Sequence, residues 1–206
     1  MITIIDYGMG NLGSIRNMLK RVGQESEVTC DPQHVARATK LILPGVGSFD
    51  AGMANLRADG MAEVLDERVL YSRIPILGIC LGMQLMTHRS DEGVADGLGW
   101  VDAEVLKFRP SDAAPKIPHM GWNLVKPVRQ SPLLQDLPDE ARFYFVHSFH
   151  VRCLQPDDVL LTTSYGAPFH SGFEHNNIWG VQFHPEKSHK FGMQLLRNFA
   201  QRCGPC

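Results

Sequence analysis

The sequence lacks any long apolar run and any excess of charge of one sign. None of its 206 residues belongs to an apolar stretch that approaches the ~20 residues of a membrane-spanning helix. The formal net charge is −2, which gives no support for a nucleic-acid or membrane-surface partner. Residues Met1–Asp6 carry no basic residue and no cleavage site, which argues against a signal peptide. We therefore expect a globular protein of the cytoplasm.

Cysteine is also scarce, and the five cysteines lack the spacing of a disulfide framework. This pattern is typical of a reducing compartment. Cys203 and Cys206 have the C-x-x-C spacing of redox pairs, but no helix follows them to lower the pKa of the first thiol. We interpret them as a frayed tail, and we expect neither a metal nor a cofactor. Because no repeat or flexible linker interrupts the chain, we expect a single domain over residues 1–206.

Strand-like and helix-like patterns alternate through the first part of the chain. Short apolar runs typical of buried strands lie at residues 2–6, 40–43 and 75–80, and a weaker strand pattern lies at residues 25–29. The segments between them have helical periodicity, so we predict an α/β fold with an open, mostly parallel sheet flanked by helices. Beyond Gln84 the runs become short, β-rich and separated by prolines, which predicts hairpins or an antiparallel β extension of the sheet. The chain closes with an amphipathic helix that we expect Ser188 to cap.

The stretch around Cys80 has the pattern of a nucleophile on a tight strand-to-helix turn. Gly78-x-Cys80-x-Gly82 is the thiol version of the G-x-S-x-G nucleophile elbow. Glycines are needed on both sides because a Cβ would clash in such a strained turn. The turn would expose the sulfur at a helix N-terminus and aim the N–H of Leu81 at a developing oxyanion. A buried structural cysteine is the alternative, since free cysteines are commonly buried.

Two further motifs could complete such a site. His184-Pro185-Glu186 follows an apolar run, so a histidine base and an acid that orients it would lie at a strand end. Pro44–Gly47 ends the strand before the elbow strand, and its glycines could turn a backbone N–H toward the same oxyanion.

A glycine-rich turn near the N-terminus allows a different interpretation. Gly8-x-Gly10-x-x-Gly13 follows a strand and opens a helix, with Asp31 further on, as in dinucleotide-binding fingerprints. The alternative is an ordinary tight turn.

Taken together, the elbow, Pro44–Gly47 and His184–Glu186 resemble the class I glutamine amidotransferases. Over roughly residues 1–200, further stretches are similar to the glutaminase subunits of imidazole glycerol phosphate synthase. Those stretches are Asp6–Leu12, Lys116–Asn123, Tyr144–Ser148 and Gln182–Ser188. This resemblance argues against dinucleotide binding.

The resemblance implies an enzyme that hydrolyses L-glutamine to glutamate and ammonia. Cys80 would form the thioester, His184 would carry the proton to departing ammonia, and Glu186 would hold His184. Backbone N–H groups of Leu81 and near Gly47 would meet the oxyanion.

The resemblance also implies contacts with substrate and with a partner. Gln84 and Glu92 would grip the polar end of glutamine, and the backbone at Ser148 would contribute. The partner would be a (β/α)8-barrel cyclase that forms a heterodimer with this chain. The cyclase would use the ammonia to make imidazole glycerol phosphate and AICAR, which is a lyase reaction of histidine biosynthesis. Residues that match the expected interface are Asn11, Trp122, Tyr144 and Lys187. As a hypothesis, the ligand-bound partner activates the glutaminase by repositioning the backbone around Val46 and Gly47.

Parts of the sequence leave alternatives open. Phe169–Glu174 does not match the family, and Ser188–Met193 looks like second copies of this subunit that supply ammonia for amination of a surface sugar. A cysteine peptidase on a related sheet is another alternative, as is a catalytically silent regulatory or dinucleotide-binding module.

Overall fold

The computed structural model describes residues 1–109 and 116–204. The β-strands are β1 (Ile2–Ile5), β2 (Ser26–Thr29), β3 (Leu41–Gly45), β4 (Ile76–Cys80), β5 (Ala103–Lys107), β6 (His119–Leu124), β7 (Lys126–Pro127), β8 (Arg142–His147), β9 (Phe149–Cys153), β10 (Val159–Tyr165), β11 (Ala167–His175) and β12 (Ile178–Val181). The α-helices are α1 (Leu12–Arg21), α2 (Pro32–Val35), α3 (Phe49–Ala58), α4 (Met61–Asp66), α5 (Leu81–Leu85) and α6 (His189–Arg202). A π-helical turn, Glu67–Tyr71, continues α4, and 3-10 turns lie at Pro132–Leu134, Pro156–Asp158 and Pro185–Lys187.

Most strands join one mixed sheet whose first half is parallel. Its order is β2-β1-β3-β4-β12-β11-β10-β7, and the pairings from β2 to β12 are parallel. Strands β11, β10 and β7 continue the sheet antiparallel, and β9 joins β11 and β5 beside them. The predicted parallel sheet with flanking helices and an antiparallel extension is therefore confirmed. Parallel strands require crossover connections, which the helices supply.

The strand order brings the last strand back to the centre of the sheet. β12 lies directly beside β4, with Val181 opposite Ile79, while β3 lies on the other side with Gly45 opposite Cys80. Three parallel strands from distant parts of the chain thus end side by side. The carboxyl ends of parallel strands are where open α/β sheets place functional sites.

The core consists of two hydrophobic layers, one on each face of the sheet. Phe49, Met53 and Leu56 of α3 pack on one face, as the sequence pattern predicts. Helices α1 and α6 cover the other face and contribute Leu19, Leu195 and other buried residues. A sheet covered on both faces needs strands that are apolar throughout, which is why β1, β3 and β4 are buried at every position.

Several local predictions need correction. Ser188 occupies the N-cap position of α6 but makes no side-chain cap hydrogen bond, because its hydroxyl oxygen accepts from the Tyr144 N–H instead. Helix α5 is only five residues long, so the helix dipole behind Cys80 is weaker than a long helix would give. Cys203 is buried, and its carbonyl accepts from Lys40, so this end of the predicted tail is not frayed. Cys206 lies outside the described residues.

The antiparallel half contains two strands that the sequence patterns do not predict. Strand β9 follows β8 after a single residue, and β11 includes Phe169–Glu174, the stretch without a family match. Within residues 1–109 and 116–204, no helix combines the length and the apolar character that crossing a membrane requires.

Candidate active site

Cys80 ends β4 in a backbone conformation that few side chains adopt. Its φ is 54° and its ψ is −108°, and helix α5 begins at the next residue. A Cβ on Gly82 would lie 1.8 Å from the Leu43 carbonyl oxygen, and one on Gly78 would lie 2.8 Å from the Met83 backbone. The two glycines are therefore required by close backbone approach, which is the steric reason that the sequence pattern suggests. Strain of this kind in a non-glycine residue is characteristic of functional sites.

His184 and Glu186 form a buried pair. Nδ1 of His184 lies 2.8 Å from Oε1 of Glu186, and the two side chains are 2% and 1% exposed. Because a carboxylate can only accept, Nδ1 carries the proton and the lone pair of the neutral ring lies on Nε2. Nε2 has no hydrogen-bond partner among the described residues. The imidazole is thus oriented as a base with its free nitrogen available.

The same contacts control the ionisation of His184. Burial acts to lower its pKa, but the interactions with Cys80 and Glu186 outweigh burial and raise the pKa to about 10. The raised pKa makes Nε2 a strong acceptor for the thiol proton of Cys80, and the imidazolium that results can protonate a leaving amine. A thiol, an imidazole and a carboxylate in this order can perform nucleophilic acyl transfer.

Backbone contacts explain why His184 holds this position. Its N–H donates to the Tyr144 carbonyl at 2.9 Å, which ties the end of β12 to β8. The Ser188 hydroxyl donates to the His184 carbonyl at 2.6 Å and accepts from the Tyr144 N–H at 3.0 Å. A 3-10 turn at Pro185–Lys187 then directs Glu186 back toward the imidazole.

A cavity of about 350 Å³ lies over this group. This volume is within the range of small-molecule pockets. Its lining includes Val46, Gly47, Cys80, Leu81, Gln84, Glu92, Pro118, Val146, His147, Ser148, Phe149, His184 and Lys187. The structure therefore gathers the predicted nucleophile, base, oxyanion residues and substrate-binding residues around one cavity. Among the described residues, no cluster of His, Cys, Asp or Glu is arranged to hold a metal ion.

The backbone on the oxyanion side of Cys80 is closely packed. A Cβ on Gly45 would lie 2.4 Å from the Tyr7 hydroxyl and 2.9 Å from the Gly82 nitrogen. Gly47 has a φ of 114°, which only glycine adopts readily. Burial, and the proximity of Cys80, raise the pKa of Tyr7, so its hydroxyl stays neutral.

The predicted substrate-binding residues have distinct surroundings. Gln84 is buried, and its amide nitrogen donates to Gln182 at 3.0 Å and to the Phe149 carbonyl at 3.3 Å. Glu92 is exposed, and its carboxylate accepts from the Phe49 N–H at 2.8 Å at the start of α3. The carbonyl of Ser148 accepts from the Phe108 N–H.

Three of the four predicted interface residues lie together beside the cavity. Trp122 and Tyr144 are paired across β6 and β8, and the Nζ of Lys187 lies 5.7 Å from the Tyr144 ring centroid. Trp122 is 46% exposed and stacks on His189. Asn11 is also exposed but lies apart from them in sequence, at the start of α1. An exposed tryptophan beside a cation and a cavity mouth is typical of a binding surface.

Sequence reasoning missed Gln182, although a signal was present. Gln182 is fully buried, and its Nε2 donates to the Cys80 sulfur at 3.7 Å. It lies two residues before His184 at the end of an apolar run, so the period of a strand places both side chains on one face.

A buried histidine pair beside the cavity was also missed. Nδ1 of His119 lies 2.9 Å from Nε2 of His147, and Nδ1 of His147 donates to the Phe149 carbonyl at 2.7 Å. Burial lowers the pKa of His119 to about 4 and that of His147 to about 3, so both are neutral at pH 7. Asn123 donates to the remaining nitrogen of His119, which completes a chain of neutral donors and acceptors.

Comparison with known proteins identifies the class to which this fold and site belong. The sequence model of the family "Glutamine amidotransferase class-I" matches residues 3–203. The chain belongs to this family. Among solved structures, it is similar to a glutamine amidotransferase from Thermotoga maritima (TM-score 0.69, 16% identity, covering 98% of this chain and 96% of that chain) and to PurLQS from the same organism (TM-score 0.74, 17% identity, 96% of each chain). At these identities the likeness shows the fold.

Three relatives of higher sequence identity carry the name of the same enzyme subunit. A protein of Methanococcus maripaludis named imidazole glycerol phosphate synthase subunit HisH 2 is 52% identical over 98% of this chain and 100% of its own length. A protein of Pseudomonas aeruginosa with the same name is 49% identical over 98% of this chain and 99% of its own. Subunit HisH of Bdellovibrio bacteriovorus is likewise 49% identical over 98% of this chain and 100% of its own.

Proposed function

We propose that this chain is the glutaminase subunit of an imidazole glycerol phosphate synthase. It hydrolyses L-glutamine to glutamate and ammonia and delivers the ammonia to a cyclase subunit in histidine biosynthesis. The observation that carries the proposal is the buried Cys80–His184–Glu186 group beside a cavity, in a chain about 50% identical over its full length to proteins named as that subunit. We further propose one domain over residues 1–206, in accord with the family match, and a cytoplasmic location, in accord with the cysteine pattern.

The geometry supports a thioester mechanism in which each proton has a defined carrier. The thiol proton of Cys80 moves to Nε2 of His184, and the sulfur attacks the side-chain carbonyl carbon of glutamine. The N–H of Leu81 and a backbone N–H near Gly47 stabilise the oxyanion. The C–N bond then breaks as His184 returns the proton to the departing amine, which leaves as ammonia. Glu186 holds the ring with Nε2 toward the reaction throughout.

Hydrolysis of the thioester completes the cycle. A water molecule gives a proton to His184 and attacks the acyl carbon, and the sulfur of Cys80 leaves and recovers its proton. Gln84, Glu92 and the backbone at Ser148 hold the amino-acid end of the substrate. The carboxylate of Glu92 has the charge needed to pair with an α-ammonium group.

The surface beside the cavity supports the proposal that a partner binds there and receives the ammonia. Trp122, Tyr144 and Lys187 lie together there, and Lys187 also lines the cavity. With Asn11, we propose that they form the contact with a (β/α)8-barrel cyclase in a heterodimer. A partner seated there would cover the cavity mouth, and ammonia would pass to it without reaching bulk water.

A second candidate differs only in the acceptor of the ammonia. Two of the similar proteins are each named subunit HisH 2, so each of those names distinguishes at least two such subunits. In this alternative the chain supplies ammonia to a surface-sugar amidotransferase by the same chemistry at Cys80.

The test measures glutamate release from glutamine by the purified chain, alone and with a co-expressed barrel cyclase and its ribonucleotide ligand. We expect low activity alone, stimulation by the liganded cyclase, and no activity in Cys80→Ala. Tyr71→Ala is the matched control, because Tyr71 is 77% exposed and does not line the cavity.

The outcomes separate the two candidates. Activity that is abolished by Cys80→Ala but indifferent to the cyclase would favour the second acceptor. Activity that persists in Cys80→Ala would contradict both candidates.

A further inference from the structure

Gln182 makes a contact that the mechanism above does not use. Its side chain is fully buried, and its Nε2 donates to the sulfur of Cys80 at 3.7 Å. The contact follows from the sheet, because β12 lies beside β4 with Val181 opposite Ile79. The next residues along the two strands, Gln182 and Cys80, therefore lie side by side.

The orientation of the Gln182 amide is fixed by its neighbours. The Phe149 carbonyl can only accept, so Gln84 must present its NH2 group there, at 3.3 Å. The second hydrogen of that NH2 group points to Gln182 at 3.0 Å, so Gln182 must present its oxygen to Gln84. Its own NH2 group is then left for the sulfur. A chain of amides thus runs from a backbone carbonyl to Cys80 with one direction of donation.

The anchor of this chain is itself held in place. The Phe149 carbonyl also accepts from Nδ1 of His147 at 2.7 Å. Burial keeps His147 neutral by lowering its pKa to about 3. Gln84 belongs to α5, Phe149 begins β9 and Gln182 follows β12, so each member of the chain comes from a different element.

We propose that Gln182 is a further catalytic residue that donates a hydrogen bond to the sulfur of Cys80, and that Gln84 is the positioning residue that sets its polarity. A donor favours a sulfur that carries negative charge over a neutral thiol or thioester. The contact therefore stabilises the thiolate when the thiol gives its proton to His184, and again when the sulfur leaves the acyl carbon during hydrolysis. The proposal rests on the proposed glutaminase function and adds a residue to it.

This role gives Gln84 a second task besides contact with substrate. If Gln84 served only the substrate, its loss would change binding and leave the reactivity of the sulfur unchanged. If it orients Gln182, its loss also changes that reactivity. The two roles are thus separable by experiment.

The test measures the rate at which iodoacetamide alkylates Cys80 as a function of pH, read by mass spectrometry of the peptide that contains Cys80. Gln182→Met keeps the length of the side chain and removes the donor. We expect the pH midpoint of alkylation to rise by about one pH unit, equivalent to about 1.4 kcal/mol. We also expect kcat for glutamine to fall about tenfold with little change in KM.

Gln182→Glu tests the polarity of the contact. Its carboxylate still accepts from Gln84 but presents an acceptor and a negative charge to the sulfur. We expect its alkylation midpoint to rise further than that of Gln182→Met. Gln84→Met should shift the alkylation midpoint in the same direction by a smaller amount, because the Gln182 amide is then free to flip and present its oxygen to the sulfur.

Ser171→Ala is the matched control. It removes a fully buried hydrogen bond, from Thr163 to Ser171 at 2.8 Å, on the strand beside β12, and leaves Cys80 untouched. We expect a wild-type alkylation midpoint for Ser171→Ala. Thermal unfolding of every variant confirms that it is folded.

Three results would overturn the proposal. An unchanged midpoint in both Gln182 variants, or an equal shift in Ser171→Ala, would overturn the proposal. A rise in KM with unchanged kcat and an unchanged midpoint would also overturn it. Alkylation needs no glutamine, so failure of the glutaminase assay in the wild-type chain would contradict the proposed function without affecting this result.

Discussion

Two glycines at the start of two helices have opposite predicted effects when a methyl group is added. Gly82 follows the elbow at the start of α5, and Gly13 lies in the first turn of α1. Both substitutions add one Cβ to a helical glycine that follows a strand and a turn. What differs is the space that the new methyl group meets. The pair therefore separates close packing from helix propensity.

The structure gives the size of each effect. A Cβ on Gly82 would lie 1.8 Å from the Leu43 carbonyl oxygen, so β3 and α5 must separate by at least about 1 Å. β3 is held between β1 and β4 and cannot yield easily. We therefore expect Gly82→Ala to cost about 3 kcal/mol, the upper end for overpacking. Gly13 has nothing within 4 Å of its Cβ position, so Gly13→Ala should gain up to about 1 kcal/mol from helix propensity.

Thermal unfolding of the two variants tests this reasoning. In a chain of this size about 1 kcal/mol shifts Tm by roughly 2–4 °C. We expect Tm to fall by roughly 6–12 °C in Gly82→Ala and to rise by up to about 4 °C in Gly13→Ala. We also expect Gly82→Ala to lose most of its glutaminase activity, because any separation of β3 from α5 displaces Cys80. A wild-type Tm and wild-type activity in Gly82→Ala would refute the argument that backbone approach requires glycine there.

Two further predictions concern the loop that carries Glu92 and the buried histidines. The carboxylate of Asp50 accepts from the N–H groups of Val94 and Ala95. Asp50→Ala should therefore loosen the loop and raise KM for glutamine about tenfold with kcat nearly unchanged. A fall in kcat at constant KM would show that the loop does not serve substrate binding. His119 has a pKa of about 4 when folded and about 6.5 when unfolded, so the unfolded chain binds the extra proton between these values and stability falls as pH drops from 6.5 toward 4. His119→Phe should reduce the slope of the unfolding free energy against pH in this range by up to about 1.4 kcal/mol per pH unit, measured by urea unfolding at several pH values. An unchanged slope would contradict a neutral buried His119.

Local patterns were sufficient where a feature depends on neighbours in sequence. The strand, the turn and the flanking glycines around Cys80 follow from the steric needs of one short segment, and the pairing of His184 with Glu186 needs only one turn. The apolar faces of α1 and α3 follow from helical periodicity, because a helix that covers a sheet must bury one face. The alternation of strands and helices then indicates a parallel sheet, which the structure contains.

Local patterns failed where tertiary contacts override them. Strand β11 contains Pro168 and Gly172, which are unfavourable in strands, yet β10 and β12 pair with it on both sides. Ser188 has the sequence signal of a helix cap, but its hydroxyl oxygen accepts from the Tyr144 N–H of β8 instead. In both cases a backbone partner on another strand decides the outcome.

The sequence by itself determined the chemistry that is available: a thiol in a strained turn, a histidine with its own carboxylate, and glycines where backbones approach. Only the tertiary structure decided which groups meet, because the strand order places β12 beside β4 and thereby brings Gln182 and His184 to Cys80 across about a hundred residues of chain. It also decided the polarity of the buried amides, since Gln84 and Gln182 take their orientation from a carbonyl at Phe149. Residue types and local spacing do not show which distant segments pair. The direction of the hydrogen bonds and the register of the sheet follow from that pairing.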